Sequence, residues 1–199
     1  MTRQLSELIC TRISHDLIGN IGAVGNAVEL LEDGDMDFLD DIKSILQISS
    51  FTLSARLKFF RLLFGLDNAN LSDGNLVKQC MKDYLQTIGN KNFPIVADSK
   101  NISAEKNRYM MVATMILADL FIRGGNISFE EKNEKLYCSA TSDAAFALEK
   151  AETVRKTIYG ENIEAVAWLA PAFFLKKYAT ENELPISFKI GDTLELVIG

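Results

Sequence analysis

His15 is the only histidine among 199 residues, and its imidazole is the group in this chain best suited to act as a nitrogen nucleophile. A neutral imidazole, with an ordinary pKa of about 6.5, has a free lone pair on one nitrogen and needs an acceptor on the other to fix its tautomer. Asp16 is the candidate acceptor, although neighbours on a helix point about 100° apart. Arg12, one turn earlier, is placed to balance charge on a phosphoryl group attached to the ring. Steps of three and four from His15 collect Leu8, Arg12, Gly19, Gly22 and Asn26 on one helix face, with Asp16 and Asn20 on its shoulder. Each glycine costs a helix interior about 1 kcal/mol relative to alanine, which calls for a compensating reason. Two remain open: the glycines let a partner's backbone approach the imidazole, or they let bundle helices pack. The chain has no GxSxG motif and no cysteine in a nucleophile context, which argues against a triad hydrolase.

The element that must carry His15 is a long helix. Leu5, Ile9, Ile13, Leu17, Ile21, Val24, Val28 and Leu31 recur at steps of four and three, the period of one helix face, and His15 lies roughly opposite them and should face outward. Glu32-Asp33-Gly34-Asp35 ends the run with a glycine in the stop position. Phe38, Ile42, Ile45, Leu53, Leu57, Phe60 and Phe64 then repeat the pattern, which predicts a helical hairpin. Two helices of about 40 Å cannot cover both sides of their apolar stripes, and pairing with a second copy into a four-helix bundle would do so.

Gly65 to Asn75 is the most loop-like stretch and separates a hairpin, residues 1–65, from an α/β part, residues 76–199, through a linker at 66–75. The second part reads as helices at 76–88, 104–123, 144–158 and 162–180, with Pro171 kinking the last or starting a new segment. Strands are expected at 93–97, 126–131, 135–140, 185–190 and 193–198, the last four in two hairpins with turns at Lys132-Asn133 and Gly191-Asp192. The fold class is therefore α+β, with a sheet covered by helices on one face.

Composition narrows the function classes. With 48% hydrophobic residues the chain can build a core, which rules out disorder. Twenty-seven acidic against 21 basic residues give a net charge of −6, with no block of lysine or arginine, which argues against nucleic-acid binding. No stretch has the roughly 18 apolar residues of a membrane span, and Glu7 and Arg12 interrupt any export signal. Cys10, Cys80 and Cys138 are widely spaced, without metal-site or disulfide patterning, as suits a reducing cytoplasm.

Arg12-Ile13-Ser14-His15-Asp16-Leu17-Ile18, followed by Glu29-Leu30-Leu31-Glu32-Asp33, resembles the phosphohistidine segment of the ChpT-type histidine phosphotransferases of alphaproteobacteria, which reads R-x-x-H-D and closes in a Leu-Leu-Glu-Asp run. The likeness continues in order through Arg123-Gly124-Gly125 and Ala170-Pro171-Ala172-Phe173-Phe174-Leu175. It implies a homodimer built like a histidine kinase body: a dimerisation and phosphotransfer hairpin plus a degenerate Bergerat-type, ATPase-like domain. It also implies a relay of phosphoryl groups, Asp to His to Asp, between a hybrid kinase's receiver domain as donor and response regulators as acceptors. His15 would be phosphorylated, with Arg12 and Asp16 as its matched neighbours and Leu8, Gly19, Asn20, Gly22 and Asn26 at the partner surface. Where the family pattern has Ser-Pro after the histidine, this chain has Gly19-Asn20, so Asn20 is only a candidate polar contact.

Two other functions remain: a non-catalytic adaptor that binds response regulators, and an atypical ATP-dependent kinase. A kinase needs an Asn-x-x-x-Asn-Ala helix and an Asp-x-Gly-x-Gly box. Residues 104–123 offer only Asn107 and Asp119, and the later glycines are scattered. The expectation is that the chain binds no cofactor, and that Mg²⁺ comes with the receiver domain.

Overall fold

The hairpin forms where the periodicity places it. A computed structural model describes residues 3–32, 38–66 and 68–199. In it, α1 spans Arg3–Glu32 and α2 spans Leu39–Phe64, packed along each other; the proposed stop at Gly34 lies outside the described residues. Small side chains allow the close approach: Ala27 on α1 and Ser49, Thr52 and Ala55 on α2 are all buried. At the base of the hairpin, Leu5, Ile9 and Leu17 meet Phe59, Phe60 and Leu63 and join one continuous core that runs to Ile198. Farther out, the apolar stripe is not covered. Ile21, Val28 and Leu31 on α1 and Ile45 and Ile48 on α2 are exposed, because two helices bury only the sides they turn to each other.

After α2, residues 68–75 carry local structure. A single helical turn, α3, covers Asn68–Leu71, and Asp73 caps α4, Gly74–Gln86, by accepting from the amides of Asn75 (2.9 Å) and Leu76 (3.2 Å). That cap explains why α4 begins two residues before the expected start. The segment is also held from below. Asn107 Nδ2 donates to the Leu71 carbonyl at 2.9 Å, and Arg108 Nη1 and Nη2 donate to the Leu63 carbonyl (3.0 Å) and Asn68 Oδ1 (3.1 Å).

Five strands form one mixed sheet in the order β1-β2-β3-β5-β4: β1 Ile95–Lys100, β2 Gly125–Lys132, β3 Lys135–Thr141, β4 Ile186–Ile190 and β5 Leu194–Ile198. Only β1 and β2 are parallel, so their connection must cross over, and α5, Asn107–Ala118, makes that crossing after a 3-10 turn at Ala104–Lys106. Asn133 and Glu134, with φ of 50° and 64°, form the left-handed pair that a two-residue hairpin turn requires between β2 and β3. Along β5, buried Leu194, Leu196 and Ile198 alternate with more exposed residues, the sign of a sheet with one covered face.

All twelve residues of α5 are buried. Its sequence is apolar nearly all round, as befits a helix with neighbours on every side. The helix stops at Ala118, not near 123, because the chain turns out toward a bridge between Phe121 and Phe146, whose rings pack 5.4 Å apart. The expected helix at 162–180 is likewise shorter. After α6, Leu148–Tyr159, and its left-handed cap Gly160 (φ 85°), the chain stays non-helical until a 3-10 turn at Ala167–Leu169. Pro171 then begins α7, Ala170–Glu181, in the first turn, where its missing amide costs nothing.

No helix among the described residues is long and apolar enough to cross a membrane. Cys10 is exposed, whereas Cys80 and Cys138 are buried and burial pushes both thiols up, Cys80 to about 11. A thiol reagent at pH 8 is therefore expected to modify one cysteine per native chain rapidly and all three after denaturation. Three fast thiols in the native protein would contradict this packing.

Candidate functional site

His15 lies near the middle of α1 on its solvent side, with its side chain 82% exposed. Its Nδ1 is 3.4 Å from Asp16 Oδ1, a long contact that reflects the angular offset of adjacent helical residues. A carboxylate can only accept, so this contact favours the tautomer with the proton on Nδ1 and leaves the Nε2 lone pair facing solvent.

Asp16 is held from two sides. Its Oδ2 accepts from Arg12 Nε at 2.8 Å, one helical turn back. Its backbone carbonyl accepts from Arg56 Nη1 on α2. Arg56 in turn donates to Thr87 Oγ1 and to the Thr87 carbonyl, both at 3.0 Å, at the end of α4. Three helices thus meet behind the imidazole, and only Asp16 Oδ1 is turned toward it.

Arg12 does not share the exposed face with His15. It is buried, and its guanidinium reaches inward to Asp119, just past the end of α5, with Nη1 to Oδ2 at 2.7 Å and Nη2 to Oδ1 at 3.0 Å. Nη1 also donates to the Trp168 carbonyl at 3.4 Å. The reason is electrostatic: once buried, the guanidinium needs a countercharge, and its long side chain finds one in Asp119. Burial opposes the charge on Arg12, but the Asp119 hydrogen bonds and charge overcome it and raise the guanidinium pKa. Asp119 is pushed up by burial, against the pull of Arg12. The Arg12 expected to neutralise a phosphoryl group directly is instead committed to two carboxylates. Behind this network sits Tyr84, stacked on Phe59 at 3.9 Å, its hydroxyl buried with no hydrogen-bond partner among the described residues.

The remaining expected residues divide. Leu8 is half-buried and turned toward α7, where it lines a cavity with Leu5 and Phe173, so it is not free surface. Asn20 is half-buried, while Gly19, Gly22 and Asn26 are exposed beyond His15. A Cβ added at Gly19, Gly22 or Gly25 would meet nothing within 4 Å. No packing among the described residues therefore requires these glycines. Sequence reasoning missed Arg56 and Thr87 and noticed Asp119 only as part of an incomplete kinase box. An arginine between Leu53 and Leu57 in an apolar run was the one local signal.

Comparisons with known proteins agree with the resemblance read from the phosphohistidine segment. The chain is 44% identical over 61 residues to the protein phosphotransferase ChpT of Brucella abortus (strain 2308), a match covering 31% of this chain and 28% of that protein. The matched stretch thus spans little more than a quarter of that relative. A solved structure of a bacterial phosphotransferase superposes on 100% of this chain and 98% of its own, with a TM-score of 0.78 and 20% identity, which establishes a shared fold. A histidine kinase domain from the Erythrobacter litoralis EL346 blue-light activated kinase aligns at a TM-score of 0.43 and 10% identity, over 94% of this chain and 91% of that one. No family model matches the chain.

Replacing Arg12 by methionine would leave Asp119 without its partner inside the protein. A loss of about 3 kcal/mol of stability is expected, read from the midpoint of urea unfolding. A change within a few tenths of a kcal/mol would mean that the ion pair is not buried as described.

Proposed function

We propose that the chain is a histidine phosphotransferase of the ChpT type, relaying phosphoryl groups between receiver domains, Asp to His to Asp. The observation that carries this reading is the exposed imidazole with one nitrogen turned to a fixed carboxylate and the other open to solvent. In the forward step the Nε2 lone pair of His15 forms the P–N bond as the P–O bond to the receiver's aspartate breaks, and the bonding pair leaves on that carboxylate. Nδ1 keeps its proton against Asp16 Oδ1, which balances the positive charge that develops on the ring. The second transfer is the same step in reverse, onto another receiver's aspartate.

Nothing in this sequence of steps needs a nucleotide. The Asp-x-Gly-x-Gly box is missing, and Asn107 and Arg108, at the start of α5, are committed to the segment that follows α2. The chain's part is to orient the imidazole; the receiver brings the aspartyl phosphate and the Mg²⁺ that binds with it. The open ground around Gly19, Gly22 and Asn26 suits the close approach of a receiver to His15. The exposed apolar strips of α1 and α2 suit a second copy packed as a four-helix bundle. These surfaces and this chemistry fit a protein that works in the cytoplasm.

The test is transfer of acid-labile, base-stable label from a phosphorylated receiver. The wild type is expected to take up label and His15→Ala none, and Gly22→Leu should slow transfer at least tenfold without lowering the melting temperature. If no receiver of the same organism transfers label while the chain still binds receivers, the protein is an adaptor. Label acquired from ATP alone would make it a kinase. Sedimentation at micromolar concentration should show a dimer, and a monomer there would remove the bundle from the proposal.

A further inference from the structure

Asp119 is an odd residue by local rules. It follows the last turn of α5, where the helix dipole disfavours a carboxylate, and it is turned into the protein. The cap of α5 does not use its side chain, since that cap is made by the Asp119 amide bonded to the Met115 carbonyl. The local cost has its counterpart 107 positions away, in the fork of Arg12.

A guanidinium is planar, so once Nη1 and Nη2 are locked by both oxygens of one carboxylate, the direction of the Nε–H is settled too. Here it points at Asp16 Oδ2, 2.8 Å away. With that oxygen occupied and the Asp16 carbonyl held by Arg56, the rotation of the Asp16 carboxylate is fixed, and Oδ1 remains for His15 Nδ1. Asp119 is thus the far end of a chain of three charged groups whose near end faces the imidazole.

We propose that Asp119 is a positioning residue for His15: acting through Arg12 and Asp16, it holds the imidazole in the tautomer with the proton on Nδ1 and so keeps Nε2 unprotonated as the nucleophile. The inference rests on the relay reading for its catalytic consequence, but the tautomer it assigns belongs to the free protein. The α/β half of the chain then does more than support the hairpin, since it supplies the outermost member of the site's charge network.

Because the chain has one histidine, a protein labelled with ¹⁵N-histidine shows a single imidazole in long-range ¹⁵N–¹H correlation spectra. At a pH about two units above the ordinary imidazole pKa of about 6.5, the wild type should show predominantly the Nδ1–H form. Asp119→Asn should shift the population toward Nε2–H. It should also lower the transfer rate at saturating receiver about tenfold, with the half-saturating receiver concentration unchanged. If Asp119→Asn does not fold, Asp119→Glu, which keeps the charge and Arg12 but displaces the carboxylate from the guanidinium fork, should give the same tautomer shift. A folded variant with the wild-type tautomer ratio overturns the proposal, as does a wild type with no preference for Nδ1–H. A tautomer shift in a chain that accepts no label from any receiver would leave the positioning intact and refute the relay instead.

Discussion

The bidentate pair between Arg12 and Asp119 decides how α1 sits on the rest of the molecule. Each group is costly alone: a buried guanidinium has lost its water, and a carboxylate at the end of a helix opposes the dipole. Together they stabilise each other, and only one rotation of α1 about its own axis allows it. That rotation buries Leu5, Ile9 and Leu17 in the common core and turns His15 outward. The exposure of the imidazole therefore goes with an inward contact made one turn earlier on the same helix.

Arg56 adds a second constraint of the same kind. It bonds the Asp16 carbonyl on α1 and the Thr87 carbonyl and hydroxyl after α4, so the two helices of the hairpin are registered against a third element at the height of the histidine. Below this level the hairpin belongs to the core of the sheet and α5. Above it, the two helices stand with only each other for cover. The molecule is rigidly specified up to its reactive group and leaves open surface beyond it.

The backbone plan was largely legible in the sequence. The four-and-three spacing of apolar residues marked both long helices, and the alternation and turn residues around Asn133 marked the central hairpin of the sheet. Helix ends were less legible. Phe121 leaves the pattern of α5 for a bridge to Phe146, and Ala167–Leu169 forms a 3-10 turn before Pro171, and both choices depend on distant partners. At the site, the outward placement of His15 followed from helical geometry, whereas that geometry counted against its contact with Asp16 and did not give the direction of Arg12. A side chain long enough to point either way is decided by where its countercharge lies, and nothing near Arg12 in sequence indicates Asp119. Leu8 was legible only in part: periodicity assigns it to a face but cannot say that α7 lies beside it.

The bare glycine strip of α1 has a consequence for how such a surface can change. A side chain added at Gly19, Gly22 or Gly25 would meet nothing within 4 Å, so a substitution there acts through helix propensity and through whatever arrives from outside. Arg12 starts from the same stripe of α1 as Gly19, but its long side chain reaches inward, where it is buried against Asp16 and Asp119. On the proposed relay reading, recognition and reactivity therefore share one stripe of the helix and differ in depth, bare backbone outside and a buried ion pair within. A lineage could retune which partner it admits at the outer glycine positions, as long as the buried pair beneath them is kept.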